Sequence, residues 1–152
     1  MTWQMWLAFF GAAIVIAVSP GANALLTPRR LSAKKNVLEF GDAVLAQLEI
    51  PLPSVEAAFR SARRRGAITI LNPAPAPGAL PARVFSLSDI IVPNETEAAA
   101  LAGKAPARSE AGLFRLCQAL RKKGAKSVVL TAGERGALVM GEGRSAWVRP
   151  PG

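Results

Sequence analysis

VVLTAGERG, residues 128–136, is the stretch on which the fold turns. A short apolar, β-branched run ends at Thr131, and Gly133 and Gly136 follow with the charged pair Glu134-Arg135 between them. Such a run suits a buried strand that hands over to a turn. Glycines at that point let backbone N–H groups approach a ligand without Cβ interference. Thr131 adds a hydroxyl able to meet a phosphate or a ribose. An ordinary tight turn would read the same way, since G-x-x-G alone is a weak signal. It is not a Walker loop, because Ala137 rather than Lys follows the second glycine.

Working outward from this strand, strand-like and helix-like stretches alternate. DAVLAQLE (42–49) reads as a strand. Pro53-Ser54 opens a helix with Val55, Ala58, Phe59 and Ala62 on one face, and Gly66 follows its basic last turn. AITIL (67–71) is the next strand. NPAPAPGALPA (72–82) is too rich in proline for a regular element. Asp89–Val92 reads as a short strand. Asn94 caps the helix NETEAAALAG, with Glu95 and Glu97 in its first turn and Gly103 at its end. Ser109 caps another, with Leu113, Leu116, Cys117 and Leu120 on the buried stripe and Gly124 after it. Lys126–Leu130 is a strand, and Ala137–Met140 with Ser145–Val148 suits a hairpin across Gly141-Glu142-Gly143. The alternation predicts an α/β domain built from βαβ units on a parallel sheet. Ligands on such sheets bind beyond the carboxyl ends of the strands. The segments to read for function are therefore QLE, NPAPA, PNETE and TAGERG.

Composition narrows the chemistry. The chain has 152 residues, 51% hydrophobic and 19% charged, which suits one ordinary domain with a real core. A single cysteine, Cys117, excludes an internal disulfide and a cysteine metal cluster, and the lack of His excludes His-based catalysis. The net charge is +9, yet its densest clusters, Arg63-Arg64-Arg65 and Arg121-Lys122-Lys123, fall at predicted helix C-termini. There they offset the helix dipole. No aromatics interleave with them, so a nucleic-acid partner is not expected.

Residues 1–28 carry no charge, and Trp3 to Val18 is nearly continuous apolar sequence. A membrane anchor through residues 3–26, a signal peptide ending near Ala22-Asn23-Ala24, and a buried strand at 14–18 all fit this stretch. The signal-peptide reading lacks a positive n-region.

Several motifs together carry a family resemblance. GANALLTP, QLEIPL, LNPAPA, DIIVPNETEAAALAG and VVLTAGERGAL, in this order, resemble ribokinase and the PfkB-type carbohydrate kinases from about residue 21 to the end. Residues 1–26 also resemble the start of a LysE-type amino-acid exporter; the two readings share the words SPGANALL. No further apolar span follows, which an exporter would need. The kinase resemblance implies a Rossmann-like, three-layer α/β sheet of ribokinase type, truncated at both ends, over residues 29–152, preceded by the apolar segment 1–28. It implies that Thr131, Ala132, Gly133, Glu134, Arg135 and Gly136 form the nucleotide turn and that Asn94 contacts the nucleotide. It places Glu97 near Mg²⁺ and the phosphates, and makes Glu49 a sugar contact. ATP, Mg²⁺ and a small sugar such as ribose are the implied ligands, with a dimer left open. The implied location is cytoplasmic, with membrane association through residues 3–26 left open.

Taken residue by residue, PNETE reads first as a plain capping box between Asn94 and Glu97. The family's GAGD motif, whose aspartate takes the proton from the attacking hydroxyl, has no counterpart here; Gly41-Asp42 lies before a strand, in the wrong context. No catalytic residue is assigned. Sugar-kinase activity by these residues alone is not expected, because phosphoryl transfer needs base and anion hole in register.

Overall fold

The computed structural model describes residues 43–76 and 78–150. Their strands form one six-stranded sheet in the order β1 to β6: β1 (Ala43–Gln47), β2 (Ile68–Asn72), β3 (Ile90–Ile91), β4 (Ser127–Thr131), β5 (Ala137–Met140) and β6 (Ser145–Val148). Four helices connect them: α1 (Leu52–Arg64), α2 (Ala82–Leu87), α3 (Glu95–Ala102) and α4 (Glu110–Lys122). β1 to β4 are parallel, as the alternating pattern predicts.

The sheet is mixed rather than parallel throughout, because β4, β5 and β6 run antiparallel. TAGERG is the reason. It is a hairpin connection, too short for a crossover, and the chain turns straight back after Thr131. The other differences are local. Strand β1 stops at Gln47, so Glu49 lies in the turn beyond it rather than on the strand. Helix α1 starts at Leu52, one residue before the expected Pro53. The stretch after Pro81 holds the short helix α2, which the proline-rich reading of 72–82 left unassigned.

Each helix earns its place by burying a stripe. Val55, Ala58, Phe59 and Ala62 of α1 face the sheet, as do Leu113, Leu116, Cys117 and Leu120 of α4. All but Ala58 meet Val44, Ala46, Leu71, Ile91, Val128, Leu130, Leu138 and Met140 in one core. In register these strand residues share a single face, because side chains alternate along a strand. Successive right-handed crossovers that advance in one direction put α1 to α4 on that same side. Of the three layers that the resemblance implies, the described residues form two.

The basic clusters serve the helix ends. Arg63 donates to the Ser86 carbonyl at 2.6 Å, and Lys123 donates to the Leu101 carbonyl at 2.7 Å while lying 6.0 Å from the Phe85 ring centroid. Among the described residues no helix is long and apolar enough to cross a membrane. The readings of residues 1–28 fall outside the described residues.

Candidate functional site

The parallel strands β1 to β4 bring their carboxyl ends to one rim of the sheet. PNETE follows β3 there and TAGERG follows β4. The two are joined directly: Asn94 bridges Thr131, and the Thr131 amide donates to the Pro93 carbonyl at 2.9 Å. Asn94 and the glycine turn, 37 residues apart in sequence by subtraction of 94 from 131, are therefore neighbours.

The turn is tightly built. Ala132 N–H donates to Gly136 O at 2.8 Å, Arg135 N–H to Ala132 O at 3.1 Å and Gly136 N–H to Gly133 O at 3.0 Å. The amides of Gly133 and Glu134 take no acceptor among the described residues. Gly133 has φ +56°, with open space where a Cβ would sit. Gly136 has φ +90°, and a Cβ there would lie 2.0 Å from the Val148 carbonyl oxygen. One glycine serves backbone conformation; the other also serves the close approach of β6.

Asn94 caps α3 in the reciprocal manner expected of a capping box. Its Oδ1 accepts from the Glu97 amide at 2.8 Å, and Glu97 Oε2 accepts from the Asn94 amide at 2.9 Å. The first-turn amides of Glu95 and Thr96 are orphan donors of the kind every helix start leaves. Yet two carboxylates, Glu95 and Glu97, occupy that turn. Glu95 is neutralised by an ion pair with Arg135, whose guanidinium also donates to the Arg108 carbonyl. Glu97 has no cation partner among the described residues, and its Oε1 takes no donor. A free carboxylate oxygen is of the kind Mg²⁺ takes, filling the rest of its shell with water and phosphates, while the orphan amides beside it suit an anion.

The resemblance did not single out the struts around the turn. Arg149 donates to Glu110 Oε1 at 2.6 Å and to the Arg135 carbonyl at 3.4 Å, and its guanidinium lies 4.6 Å from the Trp147 ring centroid. Glu95, Glu110, Trp147 and Arg149 thus hold TAGERG from two sides. Only Glu95 gave a signal in the sequence, and it read there as a dipole charge.

Glu49 stands apart. It is exposed in the turn after β1, and the Leu48 amide ties that turn to NPAPA through the Ala74 carbonyl at 3.0 Å. It shares the rim, but β1 is three strand positions from β4, about 14 Å at the usual strand spacing. So the structure brings Asn94, Glu97 and residues 131–136 together and leaves Glu49 at the far side of the same rim.

The family described as pfkB family carbohydrate kinase matches residues 12–152. The chain belongs to the pfkB carbohydrate kinase family. The match takes in the SPGANALLTP stretch, and nothing found supports the exporter-like reading of residues 1–26. The chain is 43% identical over 123 residues to a bifunctional ribokinase/ribose-5-phosphate isomerase A of Fructilactobacillus sanfranciscensis, covering 81% of this chain and 22% of that protein. It is 42% identical over 121 residues to a ribokinase of Staphylococcus aureus, covering 80% of this chain and 39% of that protein. The structure of Arabidopsis thaliana ribokinase complexed with ribose and ATP superposes with a TM-score of 0.67 at 25% identity, over 71% of this chain and 36% of that one. The chain therefore spans 22% and 39% of the length of these two curated relatives.

Proposed function

We propose that these residues form the nucleotide-binding part of a ribokinase-type sugar kinase. ATP is the phosphoryl donor, and ribose or a similar sugar is the acceptor in the whole domain. The observation that carries this reading is the joining of Asn94 to Thr131, which sets the unbonded Gly133 and Glu134 amides beside the start of α3. Backbone amides aimed outward at a strand end are a cradle for phosphate oxygens.

The proposed roles are these. Gly133 and Glu134 offer N–H donors to phosphate oxygens, and the Thr131 hydroxyl offers a further polar contact. Asn94 anchors the start of α3 against the turn, so that the two donor sets keep one geometry. Glu97, through its free carboxylate oxygen, would hold Mg²⁺ or a water of its shell, and the ion would supply neutralisation of phosphate charge. Arg135 is held by Glu95 and the Arg108 carbonyl, so it shapes the turn, and its charge tempers the two first-turn carboxylates. Glu49 contacts a sugar hydroxyl across the rim.

No GAGD aspartate stands among these 152 residues, so proton removal from the sugar has no agent among them. A protein comprising these residues alone is expected to bind ATP without transferring its phosphate. Loss of a general base and an oxyanion-type anion hole each removes roughly a factor of 10²–10³ or more. Calorimetry with ATP, with and without Mg²⁺, tests the reading. Saturable binding that tightens with Mg²⁺ is expected, and Glu97→Gln should abolish the gain from Mg²⁺ while leaving Mg²⁺-free binding in place. ATP binding indifferent to Mg²⁺ and to Glu97→Gln would remove the metal role. Absence of binding by a cooperatively melting chain would remove the whole reading.

A further inference from the structure

A mainly apolar concavity rimmed by cations lies at the opposite end of the sheet. It is a groove of about 450 Å³ between the C-terminal half of α4 and the β5–β6 hairpin, with Phe114, Gln118, Arg121, Lys122, Met140 and Arg144 among its lining residues. Its position follows from register: Met140 pairs with Val128, at the start of β4, whereas TAGERG follows the end of β4. Five residues of strand separate the two ends by about 13 Å. Three cations line the groove and no carboxylate does.

The state of those cations points to a ligand. Arg121 Nη1 donates to the Gly141 carbonyl at 2.6 Å, which pins the guanidinium against the hairpin. Its Nε is buried without a hydrogen-bond partner, the one such side-chain atom among the described residues. With Nη1 engaged and Nε buried, Nη2 is the nitrogen left to meet an anion in the groove. A buried donor without an acceptor calls for water or an ion. The side chains of Lys122 and Arg144 have no ion-pair partner among the described residues, and Ser145 adds a hydroxyl at the same lip. Phe114, 37% exposed, and Met140 supply an apolar wall.

We infer that this groove binds a small phosphomonoester, with the phosphate on the Arg121 guanidinium between Lys122 and Arg144 and the organic body against Phe114. It is a site separate from the nucleotide rim and does not rest on that site's assignment.

Phenyl phosphate is a suitable probe, because it joins a phosphomonoester to a flat apolar ring. Titration of the 152-residue chain, followed by backbone amide NMR, should show saturable shifts at residues 118–122 and 141–145. Inorganic phosphate should bind more weakly at the same residues, and phenol should not bind. Arg144→Ser, an exposed hairpin change, should weaken phenyl phosphate about tenfold, the scale of one charge-assisted contact, without moving the melting temperature. Arg121→Lys, which keeps the charge and loses the guanidinium that Gly141 holds in place, should weaken it at least as much. Absence of saturable shifts, shifts confined to residues 131–136, or binding indifferent to both variants would overturn the inference. Tighter binding of a nonspecific DNA duplex at these residues would overturn its small-molecule form.

Discussion

Gly136→Ala separates this account from one in which TAGERG is merely a flexible loop. A Cβ at Gly136 would lie 2.0 Å from the Val148 carbonyl oxygen, 3.0 Å from its carbon and 3.1 Å from the Arg149 Cα. None of these atoms yields easily. Val148 is paired with Ala137 in the β5–β6 ladder, and Arg149 is tied to Glu110 and stacked on Trp147. A left-handed φ in a residue with a Cβ costs about 1–2 kcal/mol, and overpacking against fixed atoms adds about 1–3 kcal/mol. The total is about 2–5 kcal/mol, a large part of an ordinary domain's stability. Gly133→Ala is the internal control: its φ of +56° carries the conformational cost, but nothing lies within 4 Å of the new Cβ. It should cost about 1–2 kcal/mol. Urea denaturation of the two variants should therefore differ by about 1–3 kcal/mol, roughly 2–12 °C in melting temperature for a domain of this size. Equal destabilisation would refute the reasoning, since it would mean that β6 does not close over the turn.

Three further outcomes are expected. Glu95→Gln should loosen residues 131–136, read as faster amide exchange there, and a double-mutant cycle with Arg135→Gln should give a coupling of about 0.2–1 kcal/mol, modest because both side chains are about one-third exposed; a coupling of zero would remove the strut. Acid should destabilise the domain in part through two carboxylates. The Arg83 hydrogen bond holds the Glu56 carboxyl below its usual range, helped by Arg60 and opposed by burial. For Asp89, burial pushes upward but is outweighed by the hydrogen bonds from Lys126 and Thr69, so its pKa is also lowered. A lowered folded-state pKa gives stability that is present above the unfolded values of 4.5 and 3.8 and is lost as pH falls through the folded ones. Glu56→Gln should flatten the stability-against-pH curve in that acid range, and an unchanged slope would contradict the assignment. Cys117 is fully buried and its thiol is pushed up to about 11 by burial, so a thiol reagent should label it only as fast as the domain opens; rapid labelling under native conditions would show a looser core.

The sequence carried the local structure well where pattern and chemistry coincide. The β-branched run before Thr131, the Asn94–Glu97 box and the apolar stripes of α1 and α4 each follow from residue type at fixed spacing, and each is found. Helix α2 escaped because it is six residues long, lacks a side-chain cap and follows a run of prolines. The antiparallel return after β4 was hard to read because a glycine turn can open either a hairpin or a crossover. The site was legible as a set of strand ends, but its joinery was not. The Glu95–Arg135 pair spans 40 residues, and Arg149 reaches Glu110 across 39, so no local pattern announces either. Gly136 looked like a turn residue; that it also admits the end of β6 is visible only once the hairpin is closed.

The most direct test of the central claim is where ATP binds, read residue by residue from backbone amide shifts in the presence of Mg²⁺. The largest changes are expected at Gly133 and Glu134, with accompanying changes at residues 94–97. Saturable binding that leaves residues 94–97 and 131–136 unmoved, or a folded chain in which ATP shifts nothing, would contradict it.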